Sequence, residues 1–171
     1  MFVGGCTIEA VEDVQKKSGA MNIDVIDSLE ALIDKSLVRR EDQAGDEPRF
    51  TMLETIHEYV LERLNTSHEA ASVRRAHGEY YVGVAESAEP HLTGPEQGRW
   101  LDDLLTEHGN FRAAFQWAEQ ENEGEMGFRL GGALWRFWIV RGFMSEGERR
   151  LRTVAALPSA GGRTAFLLTR E

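Results

Sequence analysis

The chain has 171 residues, of which 42% are hydrophobic and 28% charged, and it carries a net charge of −10. That composition fits a globular protein able to bury a core without staples. It argues against a strongly basic nucleic-acid binder, which must displace counterions from phosphate. A lone cysteine, Cys6, cannot build a disulfide framework, so a reducing cytoplasm is expected and Cys6 reads as a small buried hydrophobe. No charged-then-apolar leader opens the chain, and the apolar run from Ala133 to Val140 is interrupted by Arg136 and too short to span a bilayer.

In chain order, Thr7 can cap a first helix that uses Ile8, Val11 and Val14 and stops at Gly19. Asn22 or Asp24 can start a second, in which Val25, Ile26, Leu29, Leu32 and Ile33 recur at helical spacing. Leu37 to Arg40 and Arg49 to Met52 read as short strands around a polar loop, Glu41 to Pro48, that contains Gly45. Leu53, Ile56, Val60 and Leu64 then make a helical stripe. Helix, helix, hairpin, helix is the tail of a winged-helix domain. The preceding helix is missing, and Phe2 to Gly5 reads as a linker.

From Thr66 the character changes. Thr66 to Glu69 is a capping box, and Thr93 to Glu96, with Pro95, is a second. Ala70, Val73, His77, Tyr80, Val84 and Ala88 lie at helical spacing, and Pro90 ends that run. Trp100, Leu101, Leu104 and Leu105 line the next helix, which Gly109 stops. Asn110 can cap a further one with Phe111, Ala114, Phe115 and Ala118. Beyond Gly124, Met126, Leu130, Leu134, Phe137 and Trp138 share a helix that Gly142 breaks. Ser145 to Glu148 opens the last, with Leu151 and Val154, ending at Pro158. No strand is predicted after Met52, so residues 66–171 read as helix hairpins.

Residues 1–65 hold 14 acidic and 7 basic side chains, a net of −7; residues 66–171 hold 15 and 12, a net of −3. Most of the negative charge thus sits on the part with the plan of a DNA-binding fold.

Catalytic signatures are absent. There is no phosphate-cradling Gly-x-x-x-x-Gly-Lys loop, no His-Glu-x-x-His run and no Gly-x-Ser-x-Gly turn. The histidines His57, His68, His77, His91 and His108 have no metal-ligand spacing, so neither a catalytic residue nor a metal site is expected. Trp135, Trp138 and Phe143, with Phe137, read first as core, a partner groove being the functional alternative. Arg149 and Arg150, with Arg152, form the densest basic cluster and are candidates to hold an acidic partner.

Met52-Leu-Glu-Thr-Ile-His-Glu-Tyr59 resembles the end of the winged-helix domain of bacterial NB-ARC (STAND) ATPases, many of them transcriptional regulators. Asp27 to Val38, Arg74 to Tyr81, Glu107 to Ala114 and Ala133 to Trp138 are similar to further segments of that family, in the same order. The resemblance implies a mainly α fold: a small winged-helix domain with a short β-hairpin over residues 1–65, lacking its N-terminal part, then TPR-like α-helical hairpins (an α-α superhelix) over 66–171, truncated at the C-terminus. In the tetratricopeptide pattern Gly142 aligns with the turn glycine and Gly147 with the small-residue position, while Trp135 stands where the pattern prefers glycine.

The family further implies a cytoplasmic, non-catalytic regulatory fragment. Its winged helix would pack on an upstream nucleotide-binding domain of the same polypeptide, and its repeats would sense a protein or small-molecule effector. ATP or ADP with Mg would belong to the parent protein, no cofactor to this fragment, and no membrane partner is expected. The family's nucleotide-sensing histidine falls on Leu53, which cannot donate to phosphate. Glu54 follows it, and His57, one turn on, is the candidate substitute. DNA would be contacted through another domain. The alternative is direct DNA binding by the second helix and hairpin, with Lys35, Arg39, Arg40 and Arg49 as contacts, although that helix holds Asp24, Asp27, Glu30 and Asp34 against Lys35 alone.

Overall fold

The computed structural model describes residues 1–19, 23–42 and 47–157. Two compact units divide within one long helix, at Tyr80/Tyr81.

In the first unit, α1 (Ile8–Ser18) starts where Thr7 Oγ1 accepts from the Ala10 N–H at 3.2 Å and ends at Gly19, whose φ of 68° is left-handed. The second helix, α2 (Val25–Asp34), is capped by Asp24, whose Oδ1 accepts from the N–H groups of Ile26 and Asp27 at 3.0 and 3.1 Å. Asp24 is thus the cap; Asn22 lies outside the described residues. The C-terminal end of α2 closes as a Schellman turn: the Leu37 N–H donates to Leu32 O at 3.0 Å and the Ser36 N–H to Ile33 O at 2.8 Å. Ser36 takes the left-handed position there, at φ 58°.

Strands β1 (Val38–Glu41) and β2 (Arg49–Met52) pair antiparallel, Val38 opposite Met52 and Glu41 opposite Arg49. The first strand starts at Val38 rather than Leu37, because Leu37 still closes the helix. Gly45 lies outside the described residues.

The N-terminal segment is more than a linker. Cys6 bridges the other edge of β2, exchanging backbone hydrogen bonds with Phe50 at 3.0 and 2.8 Å. Gly5 sits at φ 94°, where a Cβ would lie 2.8 Å from Thr51 Cγ2. Cys6 is buried, with Ala10, Val25, Leu29, Val38 and Phe50 as the core of this unit. Helix α3 (Glu54–Asn65) follows the hairpin, and none of its residues is buried. Its apolar stripe is therefore only half covered.

The long helix α4 (Ala70–Ala88) carries the chain from the first unit into the second. The first predicted capping box does not form: the Thr66 and Ser67 hydroxyls donate back to Arg63 O and Leu64 O at 2.9 and 2.8 Å, finishing α3 instead. A 3-10 turn (Glu89–His91) holds Pro90, then come α5 (Gln97–Thr106), α6 (His108–Gln120), α7 (Gly124–Arg141) and α8 (Met144–Ala155). The second box also fails: α5 has no side-chain cap, and Gln97 Nε2 donates back to Leu92 O at 2.6 Å. Gly109 and Asn110 do not separate α5 from α6. Both lie inside α6, and the fully buried Asn110 donates from Nδ2 to Glu107 Oε2 at 2.7 Å.

The last two helices form a close-packed hairpin. Gly142, at φ 79°, turns the chain between them. A Cβ on Gly127 would lie 2.5 Å from Val154 Cγ2, and one on Gly147 would collide with the Trp138 indole. The missing side chains are what allow α7 and α8 to approach. Tyr81, Phe111, Phe115, Phe137, Leu130 and Leu134 are fully buried in this unit, with Tyr81 and Phe111 edge-to-face at 5.8 Å. Among the described residues no strand follows Met52, so the fold is mainly α with one hairpin.

Candidate interaction surfaces

The helix pair α1–α2 with the β1–β2 wing defines a winged helix-turn-helix unit. In such units the second helix lies in the major groove and its N-terminal residues meet base edges. Here that second helix is α2. Its buried side is Val25 and Leu29; its exposed side is Ile26, Asp27, Glu30, Ala31 and Asp34. The helix period therefore puts three carboxylates where a reader would place Arg, Lys or Asn. Lys35, at the C-cap, is exposed.

The hairpin does not restore a basic face. Arg39 and Arg40 are both exposed, but neighbours on a strand point to opposite sides, and Arg40 Nε donates to Asp42 Oδ1 at 2.8 Å. Arg49 is a correction to the sequence-based set of DNA contacts. It is only 6% exposed, and its Nη2 donates to Gly5 O at 3.1 Å and Gly4 O at 3.5 Å. Arg49 clamps the N-terminal segment onto the sheet and is not presented to a phosphate. Nothing in the local sequence announces this, because its acceptors are backbone carbonyls more than forty residues away.

The nucleotide-sensing candidates sit at the start of α3. Leu53 and Glu54 are exposed, and Leu53 gives α3 no side-chain cap. His57 is half-buried, with Nε2 3.2 Å from the Met1 amine. Burial foremost, then the neighbouring ammonium, holds its pKa below the ordinary imidazole value.

In the helical unit the expected groove residues separate. Trp135 is 42% exposed, with the Arg136 guanidinium 4.8 Å from its ring centroid, whereas Trp138 is 3% exposed and packs against Gly147. Three residues along a helix turn the side chain by about 60° from its neighbour, enough here to send one indole out and the other in. Phe143 is half-buried, 4.3 Å from the His108 ring and 5.6 Å from Phe137. Arg150 donates to both oxygens of Glu119 at 3.0 Å and lies over Phe115, so it is an internal clamp; Arg149 is exposed. Trp138, Phe143 and Arg150 thus belong to the packing of the unit, and of the five groove candidates Trp135 and Arg149 face solvent.

A cluster that sequence reasoning missed joins α6 to α8. Arg112 holds the Glu146 carboxylate bidentate at 2.7 and 2.5 Å, and His108 Nε2 lies 3.5 Å from the same carboxylate. The hydrogen bond from Arg112 holds the Glu146 carboxyl below the usual range, and burial holds the His108 imidazole below its own. The i, i+4 spacing of His108 and Arg112 was visible in the sequence; their common partner on α8 was not.

Among the described residues no group of His, Cys, Asp or Glu could hold a metal, and no helix is long and apolar enough to cross a membrane.

Comparison with known proteins agrees with this geometry. Residues 1–65 match the winged helix-turn-helix domain family. The chain is also similar to proteins named "Putative HTH-type transcriptional regulator" in Mycobacterium tuberculosis (strains H37Rv and CDC 1551) and Mycobacterium bovis. Each is 36% identical over 146 residues, which is 85% of this chain and 16% of the relative. The chain therefore spans about a sixth of the length of the curated relatives it matches. No solved structure matches it.

Proposed function

We propose that this chain is a non-catalytic interaction segment of a longer transcriptional regulator. Its winged helix packs on another part of that protein, an upstream nucleotide-binding domain, rather than reading DNA. The helical hairpins, in this reading a tetratricopeptide-like stack, receive a protein or small-molecule effector. ATP or ADP with Mg stays with the parent domain, and DNA is met elsewhere in the polypeptide, in the cytoplasm. The observation that carries the reading is the solvent face of α2, where Asp27, Glu30 and Asp34 occupy the reading position while Arg49 is turned inward. Phosphate repels such a face.

The direct-DNA reading is favoured by two observations, the match of residues 1–65 to a helix-turn-helix family and the exposure of Lys35, Arg39 and Arg40. A filter-binding titration at low salt separates the two. The proposal expects no tight duplex binding by this chain, no affinity for ATP or ADP, and association in trans with the upstream domain of the parent protein. Salt-dependent duplex binding that weakens when Arg39 and Arg40 become alanine would establish the alternative.

A further inference from the structure

We propose that the solvent face of α2, with Ile23 at its threshold, docks a basic amphipathic helix of a partner protein. This rests on the reading of the winged-helix unit as an interaction module. Ile23 and Ile26 are 55% and 51% exposed, and both line a cleft between α1 and α2 that Glu12, Gln15 and Lys16 also border. Ile23 is held in place there: Gln15 Nε2 donates to its carbonyl at 2.9 Å. Isolated exposed isoleucines are ordinary, but a pair at the mouth of one cleft offers an apolar anchor point.

Charge then selects the partner. Beyond Ile26, Asp27, Glu30 and Asp34 follow at three- and four-residue spacing, so their carboxylates share one side and repel one another. None of the three makes a side-chain hydrogen bond or ion pair among the described residues. The cations nearest in sequence to this face are Lys17, which pairs with Asp13 at 2.6 Å, Lys16, at the cleft, and Lys35, past the last carboxylate. A surface with an apolar mouth and an uncompensated acidic side is complementary to a helix with leucine-like residues on one stripe and Lys or Arg beside it. It is anti-complementary to nucleic acid.

The test uses the whole chain and three fluorescent probes: a Leu/Lys amphipathic helical peptide, the same composition in scrambled order, and a DNA duplex. Anisotropy gives affinity, and amide shifts locate the contact. The expected result is binding of the amphipathic peptide with shifts at Ile26, Asp27, Glu30 and Asp34. Affinity should fall by at least about tenfold in Ile26→Ser and in the triple variant Asp27→Asn, Glu30→Gln, Asp34→Asn, with circular dichroism unchanged. Should Ile26→Ser lose its fold, the triple variant decides. Equal binding of the scrambled peptide, wild-type affinity in the triple variant, or no peptide binding would overturn the docking surface and leave the interaction-module reading standing. Duplex binding with shifts on α2 would overturn both.

Discussion

Arg49 places its guanidinium inside the protein, on the carbonyls of Gly4 and Gly5. A hydrogen bond from a charged group contributes about 1.5–3 kcal/mol, and here the better of the two is the one to the half-buried Gly5 carbonyl at 3.1 Å. Arg49→Ala should therefore lower the urea midpoint of the first unit by an amount equivalent to about 2 kcal/mol, while any affinity for DNA stays unchanged. At Gly147 the constraint is steric, since an added Cβ would meet the Trp138 ring. Gly147→Ala should cost about 1–3 kcal/mol in thermal or denaturant unfolding, the usual penalty for overpacking.

His108 has a pH signature. Its folded pKa lies below the ordinary imidazole value because burial disfavours the cation, an effect larger than the attraction of Glu146. The stabilisation is fully present above that ordinary value, about 6.5, and is lost as pH falls through the lower folded value. His108→Gln should flatten the pH dependence of stability just below pH ~6.5. A drop in stability of equal steepness in the variant would contradict this. Glu146, also held low, adds its own loss at more acidic pH.

At the scale of elements, α2 carries a local conflict. Asp27, Glu30 and Asp34 form two like-charge pairs at i, i+3 and i, i+4, each destabilising by about 0.2–0.5 kcal/mol. Neutralising them to Asn and Gln should raise stability by up to about 1 kcal/mol in a salt-dependent manner, measured by thermal melts at low and high salt. A helix α3 without a single buried residue makes a different prediction. Its amides should exchange with solvent well before those of α7, which buries nine residues.

The element pattern was largely legible in the sequence. Thr7, Asp24 and Gly142 mark helix ends through local hydrogen bonds or a left-handed φ, and the structure uses all three. The capping boxes at Thr66 and Thr93 and the break at Gly109 were not used. There, hydroxyls and an amide found the carbonyls of the preceding segment, and a short turn let α6 begin at His108. Residues at helix junctions face two helices at once, and sequence spacing does not say which one they will bond. Of the candidate site residues, those whose role depends on direction alone, such as Trp135 and Trp138, needed the helix phase; Arg49 and Arg150 needed a distant partner.

Across the whole molecule the net charge of −10 is uneven, and the winged-helix unit holds most of it. Any duplex binding through Lys35, Arg39 and Arg40 would engage few phosphates. Its logarithmic salt slope should then not exceed about −3, by the rule of roughly one released counterion per neutralised phosphate. A steeper slope would show a basic surface beyond these residues.

By itself the sequence determined the succession of helices around one hairpin, the acidic balance and the absence of familiar catalytic motifs, because each follows from spacing, capping and composition within a few residues. Tertiary structure alone decided which charges are spoken for: Arg49 and Arg150 turned inward, Asp27, Glu30 and Asp34 left facing water. The physical reason is that a charge acts according to its burial and its partner, and both are set by chain segments brought together only when the core closes.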